Sequence, residues 1–256
     1  MPTWDSALYS KFLKERTQPA IDLASKIECS NPVSIIDVGC GPGNSTRVLK
    51  ELWPQAKIAG FDSSAEMLAQ ARASSQEIDW FQSSVEDWNP ATTYDIIFSN
   101  AVLQWVDAHD RLLLRLMNHL NDKGVLAVQL PAHYHSPLHQ QLIAVAKMPA
   151  WASYTVEACD RLSMAPPTYY YDLLAPIASR VDMWETQYFH VMDSVERIVE
   201  WFRGTGLRPF LEALPDDQSR KAFEQNILEK YQACYPVQKN GKVLLPFNRF
   251  FFIAYR

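Results

Sequence analysis

Three glycines at alternate positions, Gly39, Gly41 and Gly43, stand between an apolar run and an amphipathic one, and they restrict the fold more than any other feature of the chain. The chain holds eight glycines in 256 residues, so three within five positions mark a local requirement. Before them, Val33-Ser34-Ile35-Ile36-Asp37-Val38 reads as a buried strand. After them, Val48, Leu49, Leu52 and Trp53 recur at helical spacing until Pro54 stops the pattern. The alternation continues with a strand over 58–61 and a helix over 64–73 capped by Ser63 or Ser64. Strands over 78–81 and 94–98, a helix over 111–120 and a strand over 125–130 follow. Such alternation predicts an α/β fold, a doubly wound and mostly parallel sheet with helices on both faces.

The rhythm changes in the second half. The spacing predicts one domain over 1–256, with helices over 1–30 broken at Pro19 and a sheet core over 33–131. Helical insertions over 132–179 and 193–240 can form a lid, and strands over 180–191 and 248–256 close the sheet. The stretch from Pro215 to Lys221 reads as a helix N-terminus whose acids favour the helix dipole.

Charge narrows the function. Lys and Arg number 24 against 29 Asp and Glu, a net charge of −5, and no basic stripe is visible. That argues against a nucleic-acid or membrane-surface binder. An anionic substrate then needs a local arginine cluster. Cys29, Cys40, Cys159 and Cys234 form no C-x-x-C pair, and their spacing suggests neither a disulfide framework nor a zinc site and points to a reducing compartment. The opening residues are polar and carry acids, unlike a signal or transit peptide, and no apolar run reaches the ~18 residues of a membrane span. A cytoplasmic protein is the expectation.

Glycines after the first strand of an open sheet let the backbone approach a ligand at the strands' carboxyl ends. A dinucleotide fingerprint is G-x-G-x-x-G, but here Asn44 stands in the third place and the pattern is G-x-G-x-G with Pro42 inside it. This segment resembles motif I of the class I S-adenosylmethionine-dependent methyltransferases, which have a Rossmann-like fold. The resemblance implies that Gly39, Cys40, Gly41 and Gly43 back the methionyl part of the cofactor. Asp62, twenty-one residues after Gly41, would accept the ribose hydroxyls, with Ser63 beside it and Met67 against the adenine. Asn100 and Trp105 follow the fourth predicted strand, where such enzymes bring substrate and methyl group together.

The likeness becomes narrower over Leu8-Tyr9, Glu15-Arg16, Leu103-Gln104-Trp105, the segments 124–129 and 205–209, and Asn240-Gly241. There the chain is similar to the trans-aconitate 2-methyltransferases, a bacterial cytosolic group. The resemblance implies methyl transfer to a carboxylate of trans-aconitate or a related small polycarboxylate, giving a monomethyl ester. One departure concerns the adenine. Many class I enzymes place an acid after the third strand, whereas this chain has Ser83-Ser84-Val85, which leaves Ser84 and the Val85 backbone for that contact.

A carboxylate acceptor is ionised at neutral pH, so no general base and no catalytic acid are nominated. A tricarboxylate calls for Arg, whose planar fork binds carboxylates bidentately. Arg208 and Arg249 are the substrate candidates, each with an ordinary ion pair as the plain alternative. Arg16 can reach the cofactor carboxylate or simply face solvent. Tyr9 can fold over the cofactor, and Tyr134, Tyr171 and Trp201 can line the acceptor pocket, since such side chains exclude water and carry one polar group. His133, His135 and His139 resemble a metal pattern, yet the reaction needs no metal, and one of them touching substrate is the better reading. Rival readings are the same fold acting on a phenol or amine, with His133 or Tyr171 as base, a nicotinamide-dependent oxidoreductase, and a non-catalytic cofactor sensor. The sequence does not give the oligomeric state.

Overall fold

Strand β1 (Ser34–Val38) buries Ile35, Ile36 and Val38 on alternate faces, so it can only lie inside a sheet covered on both sides. The computed structural model describes residues 13–132, 135–161 and 165–256. The other strands are β2 (Lys57–Asp62), β3 (Asp79–Gln82), β4 (Tyr94–Asn100), β5 (Leu120–Pro131), β6 (Arg180–Met192) and β7 (Val243–Tyr255). They form one sheet of seven in the order β3-β2-β1-β4-β5-β7-β6, with β7 antiparallel to both neighbours and the first five strands parallel.

Helices α1 (Leu13–Ala24) and α2 (Asn44–Leu52) cover one face. Leu23, Val48 and Leu49 meet Ile35, Phe98, Ala127 and Phe251 there. The sequence pattern places a break at Pro19, but Pro19 lies inside α1, and the chain stays helical through it to Ala24. Helix α3 (Ala65–Ser74) starts at the N-cap Ser64, whose hydroxyl accepts the Met67 N–H. Helix α4 (His109–Asn118) and helix α7 (Pro167–Leu174) cover the other face, where Leu113, Leu116 and Tyr170 pack on Ile97, Val128 and Phe252. Strand β5 begins at Leu120, five residues before the predicted start, because Leu120 pairs with Tyr94 across a register shift.

Strands β6 and β7 outrun the sheet. β5 pairs with β7 only from Val125↔Tyr255 to Pro131↔Arg249, whereas β6 and β7 stay paired to Met192↔Val243. The projecting end carries a separate helical cap. Helices α5 (Pro137–Ala146), α6 (Ala152–Arg161), α8 (Val195–Arg203), α9 (Arg208–Ala213) and α10 (Asp217–Cys234) bury Leu142, Phe202, Phe210, Phe223 and Tyr231 against Leu245 and Phe247 of β7. Helix α10 opens as predicted, with Asp216 accepting the Ser219 N–H at 2.7 Å. The cap therefore stands at the end of the sheet where the parallel strands finish. Among the described residues, no helix is long and apolar enough to cross a membrane.

Candidate active site

The strand order reverses between β1 and β4, and a crevice for ligands opens at the carboxyl ends of strands at such a point. The glycine loop fills this place. Gly39, Gly41 and Gly43 all have left-handed backbone, with φ of 69°, 55° and 84°. Packing demands two of them: a Cβ on Gly39 would lie 2.5 Å from Val102, and one on Gly43 would lie 2.7 Å from the Trp80 ring. Gly41 differs. A Cβ there would meet nothing within 4 Å, so its α-carbon borders open space.

Gly41 is also tied to the acid at the end of β2. Its N–H donates to Asp62 Oδ2 at 2.9 Å, while Asp62 Oδ1 accepts the Ser64 N–H at 2.8 Å. Burial pushes the Asp62 carboxyl above its ordinary value, against these hydrogen bonds. Cys40 is buried beneath the loop, and its N–H donates to Phe61 O. Burial raises its thiol far out of the thiolate range, so it is an inert packing group. Ser63 lies between these partners, its carbonyl accepting from Gln82 Nε2 at 2.9 Å, and Met67 is buried in α3.

Behind the loop, Asp37 is fully buried. Its Oδ2 accepts from Ser45 Oγ and Thr46 Oγ1, both at 2.6 Å, and its Oδ1 has no hydrogen-bond partner among the described residues. Burial pushes its carboxyl up to about 6, although both hydroxyls favour the charged form. At the end of β4, Ala101 takes a left-handed φ of 58°, a cost of about 1–2 kcal/mol for a residue with a Cβ. Strain of this kind collects at functional sites. Asn100, just before it, has its Oδ1 buried without a partner among the described residues, and Trp105 is partly exposed on the short turn Leu103–Trp105.

Arg249 marks where β7 leaves the sheet, level with Pro131 of β5 and Thr186 of β6. It is 6% exposed, and its guanidinium lies 4.6 Å over the Phe247 ring. Trp201 of α8 meets the same ring edge-on at 4.9 Å, and His190 of β6 approaches both aromatics. The Trp201 indole N–H and His190 Nε2 are buried without partners among the described residues. Burial, then the Arg249 charge, holds His190 down at about 4, so its ring is neutral at physiological pH. Arg16 is buried on α1, the helix covering the same face of the sheet as Arg249.

The other predicted positions have these surroundings. Arg208 opens α9 in the cap and ion-pairs Glu212 one turn on at 2.8 Å. Tyr171 is 51% exposed on α7, and its neighbour Tyr170 makes the buried contact, its hydroxyl 3.0 Å from His109 Nδ1. The Ser84 hydroxyl donates to Asp87 Oδ2, and the Val85 carbonyl accepts from Arg115. His139 sits on α5, held down at about 4 by burial and by His135. Tyr9, His133 and Tyr134 lie outside the described residues. His190 and Asp37 are members of the site that residue types alone did not single out. The signal for His190 was its inward place in the β6 alternation.

Similarity to known proteins agrees with this geometry. A family model described as a methyltransferase domain matches residues 9–209. A trans-aconitate 2-methyltransferase of Azoarcus sp. (strain BH72) is 45% identical over 259 residues, spanning 100% of both chains. Another from Yersinia pseudotuberculosis is 41% identical, over 100% of this chain and 99% of that one. Among solved structures, the YcgJ protein of Bacillus subtilis superimposes with a TM-score of 0.59 at 12% identity, covering 93% of this chain and 98% of that one. Phosphoethanolamine N-methyltransferase 2 of Haemonchus contortus, in complex with S-adenosylmethionine, gives 0.57 at 12% identity over 93% of this chain and 52% of that one. At such identities the structural likeness speaks for the fold.

Proposed function

The chain belongs to the methyltransferase family, among the trans-aconitate 2-methyltransferases, and on that premise we propose that it methylates a carboxylate of trans-aconitate to a monomethyl ester. S-adenosylmethionine supplies the methyl group from a cationic sulfonium and leaves as S-adenosylhomocysteine. The residues present fit that cofactor: open space over Gly41, the Asp62 carboxylate beside it, and the buried acceptor atoms Asp37 Oδ1 and Asn100 Oδ1 without partners among the described residues. The observation that carries the reading is their meeting, at one end of one sheet, with a buried arginine on the strand leading into the cap.

Asp62 accepts the ribose hydroxyls with the lone pairs that Gly41 and Ser64 leave free. Gly39, Cys40, Gly41 and Gly43 form the wall behind the methionyl chain, with Asn100 and Trp105 opposite. Arg16 on α1 closes the cofactor end. Ser63, Met67, Ser84 and Val85 border the adenine, the last two through backbone, since the Ser84 hydroxyl serves Asp87.

The acceptor lies toward Arg249, with Trp201 and His190 on the same wall. Arg249 offers a planar guanidinium to one carboxylate, and the indole N–H of Trp201 offers a further donor. Arg208 lies on α9 of the cap, which we read as a lid, and Tyr171 lies on α7 over the sheet. No residue needs to take a proton, because the attacking carboxylate, with an ordinary pKa near ~4, is ionised at neutral pH. The chain's work is alignment: carboxylate oxygen, methyl carbon and sulfur in line, with the reacting atoms ~3–3.5 Å apart. With the cofactor bound, an oxygen–carbon bond would form as the carbon–sulfur bond breaks, and the two opposite charges would cancel. A water-poor pocket under the cap favours that change. The same proposal places the enzyme in the cytoplasm, with its two polar metabolites.

The test is methyl transfer from labelled S-adenosylmethionine to trans-aconitate, cis-aconitate, isocitrate, citrate and a phenol, with product esters identified by base lability. A base-labile product formed fastest from trans-aconitate supports the proposal. A base-stable ether, or transfer to none of the acids, overturns it.

A further inference from the structure

The run from Val125 to Pro131 is apolar except at one place, Gln129. Its side chain is fully buried, and both Nε2 and Oε1 lack a hydrogen-bond partner among the described residues. A buried carboxamide with both ends unmatched is costly, and native structures rarely keep one without a reason. Its position supplies the reason. Gln129 is level with Asn100 on β4 and with Phe251 on β7, two residues short of the Pro131↔Arg249 pair. It shares a sheet face with Ala127 and Phe251, which is the face under α1, and its own carbonyl anchors the strained turn by accepting the Ala101 N–H at 2.9 Å. Among these neighbours Asn100 Oδ1 is also unmatched. The carboxamide therefore stands between the cofactor residues on β1 and β4 and the arginine on β7.

We propose that Gln129 is a ligand-binding residue of this site, its Nε2 donating to a carboxylate of the bound reactants while Oε1 accepts from a donor beside it. This rests on the carboxyl-methyltransferase reading. Two reactants carry such a group, the methionyl end of the cofactor and the acceptor acid. A neutral amide suits both, because it adds no charge beside Arg249 and no repulsion toward an anion. The methionyl end presents an ammonium next to its carboxylate and would satisfy both ends of the amide. The acceptor would satisfy Nε2 alone.

The test uses the full chain with Gln129→Met, which keeps volume and removes the polar atoms, and Gln129→Glu, which sets a charge against the ligand's. S-adenosylhomocysteine affinity is measured by calorimetry, KM for trans-aconitate by initial rates, and Tm with and without ligand. If Gln129 serves the ligand, Gln129→Met raises the Tm of the ligand-free protein by roughly 2–4 °C, because an unmatched amide is gone. It also weakens one ligand by about 10- to 100-fold, the worth of a hydrogen bond to a charged group, with Gln129→Glu weaker still. Loss confined to S-adenosylhomocysteine assigns the methionyl carboxylate, and loss confined to KM assigns the acceptor. A lower ligand-free Tm with both affinities unchanged makes Gln129 a core residue and overturns the inference, while an active wild type leaves the methyltransferase reading intact. A wild type that binds neither reactant overturns both.

Discussion

The carboxylate of Asp62 and the N–H of Gly41 are hydrogen-bonded at 2.9 Å, so the acid that ends the second strand holds the middle of the glycine loop in place. Its other oxygen holds Ser64 at the start of the next helix. One side chain thus ties the loop to the next helix, beside the open space at Gly41. Asp62→Asn keeps a carbonyl oxygen for one of these bonds but loses the charge. Affinity for S-adenosylhomocysteine, read by calorimetry, should fall about 10- to 100-fold, the worth of charge-assisted bonds to ribose hydroxyls. Because burial raises this carboxyl, the wild type should lose affinity on acidification at a higher pH than an ordinary aspartate would dictate. Affinity that is flat with pH, or equal in the variant, would remove Asp62 from the site.

The glycine loop separates packing from binding. Gly39→Ala and Gly43→Ala each drive a methyl group into a neighbour, Val102 at 2.5 Å and the Trp80 ring at 2.7 Å, from a left-handed backbone. Each should cost roughly 2–4 kcal/mol of stability, from overpacking and backbone strain together. Gly41→Ala meets no atom within 4 Å and should lose only the strain of about 1 kcal/mol. Its methyl group instead occupies the space proposed for the cofactor. Chemical denaturation and ligand titration of the three variants should therefore rank them in opposite orders.

Fold and site were legible to different depths, for physical reasons. Strand β1, the loop and α2 follow from local signals, apolar alternation and glycines, and the structure places them as predicted. The start of β5 was hidden because Asn121, Asp122, Lys123 and Gly124 are polar or turn-forming, and only pairing of Leu120 with Tyr94 makes a strand there. Pro19 was read as a break because proline removes a donor, yet the helix tolerates it. Asp62 and Arg249 could be singled out because their charges sit at the ends of predicted strands. Arg208 looked equivalent, and nothing local says that Glu212 pairs with it. Tyr170 and Tyr171 are neighbours of the same type, and only the angle of α7 on the sheet buries one and exposes the other.

Asp37 and His190 should pull stability in opposite directions as pH changes. Asp37 is raised from an ordinary 3.8 to about 6, so the folded chain holds a proton that the unfolded chain has released. Stability from this group is full below 3.8 and is lost as pH rises through about 6. His190 is lowered from 6.5 to about 4, so its share is full above 6.5 and is lost as pH falls toward 4, where the unfolded chain takes up the proton. Asp37→Asn, which can still accept from Ser45 and Thr46, should gain roughly 1–3 kcal/mol at pH 8 and little at pH 4. His190→Gln should flatten the acid side. Urea denaturation from pH 4 to 8 reads both, and parallel curves for wild type and variants would contradict the assignment.

Arg249 gives the sharpest test of where the acceptor sits, because it is buried at the one point where the sheet hands over to the cap. Its guanidinium lies 4.6 Å over the Phe247 ring, and a lysine cannot reproduce its planar fork. Arg249→Lys should keep the charge and most of the packing but lose one of two parallel hydrogen bonds to a carboxylate. KM for trans-aconitate should rise about 10- to 100-fold while S-adenosylhomocysteine binding stays within about twofold. Arg208→Lys is the matched control: its partner Glu212 is on the same helix and half exposed, so a pair of this kind contributes at most about 1 kcal/mol. Equal effects of the two substitutions on KM would mean that both arginines hold the acid under a closed cap. An effect of Arg249→Lys on cofactor affinity alone would move the arginine to the methionyl end and leave the acceptor pocket to be sought among the helices of the cap.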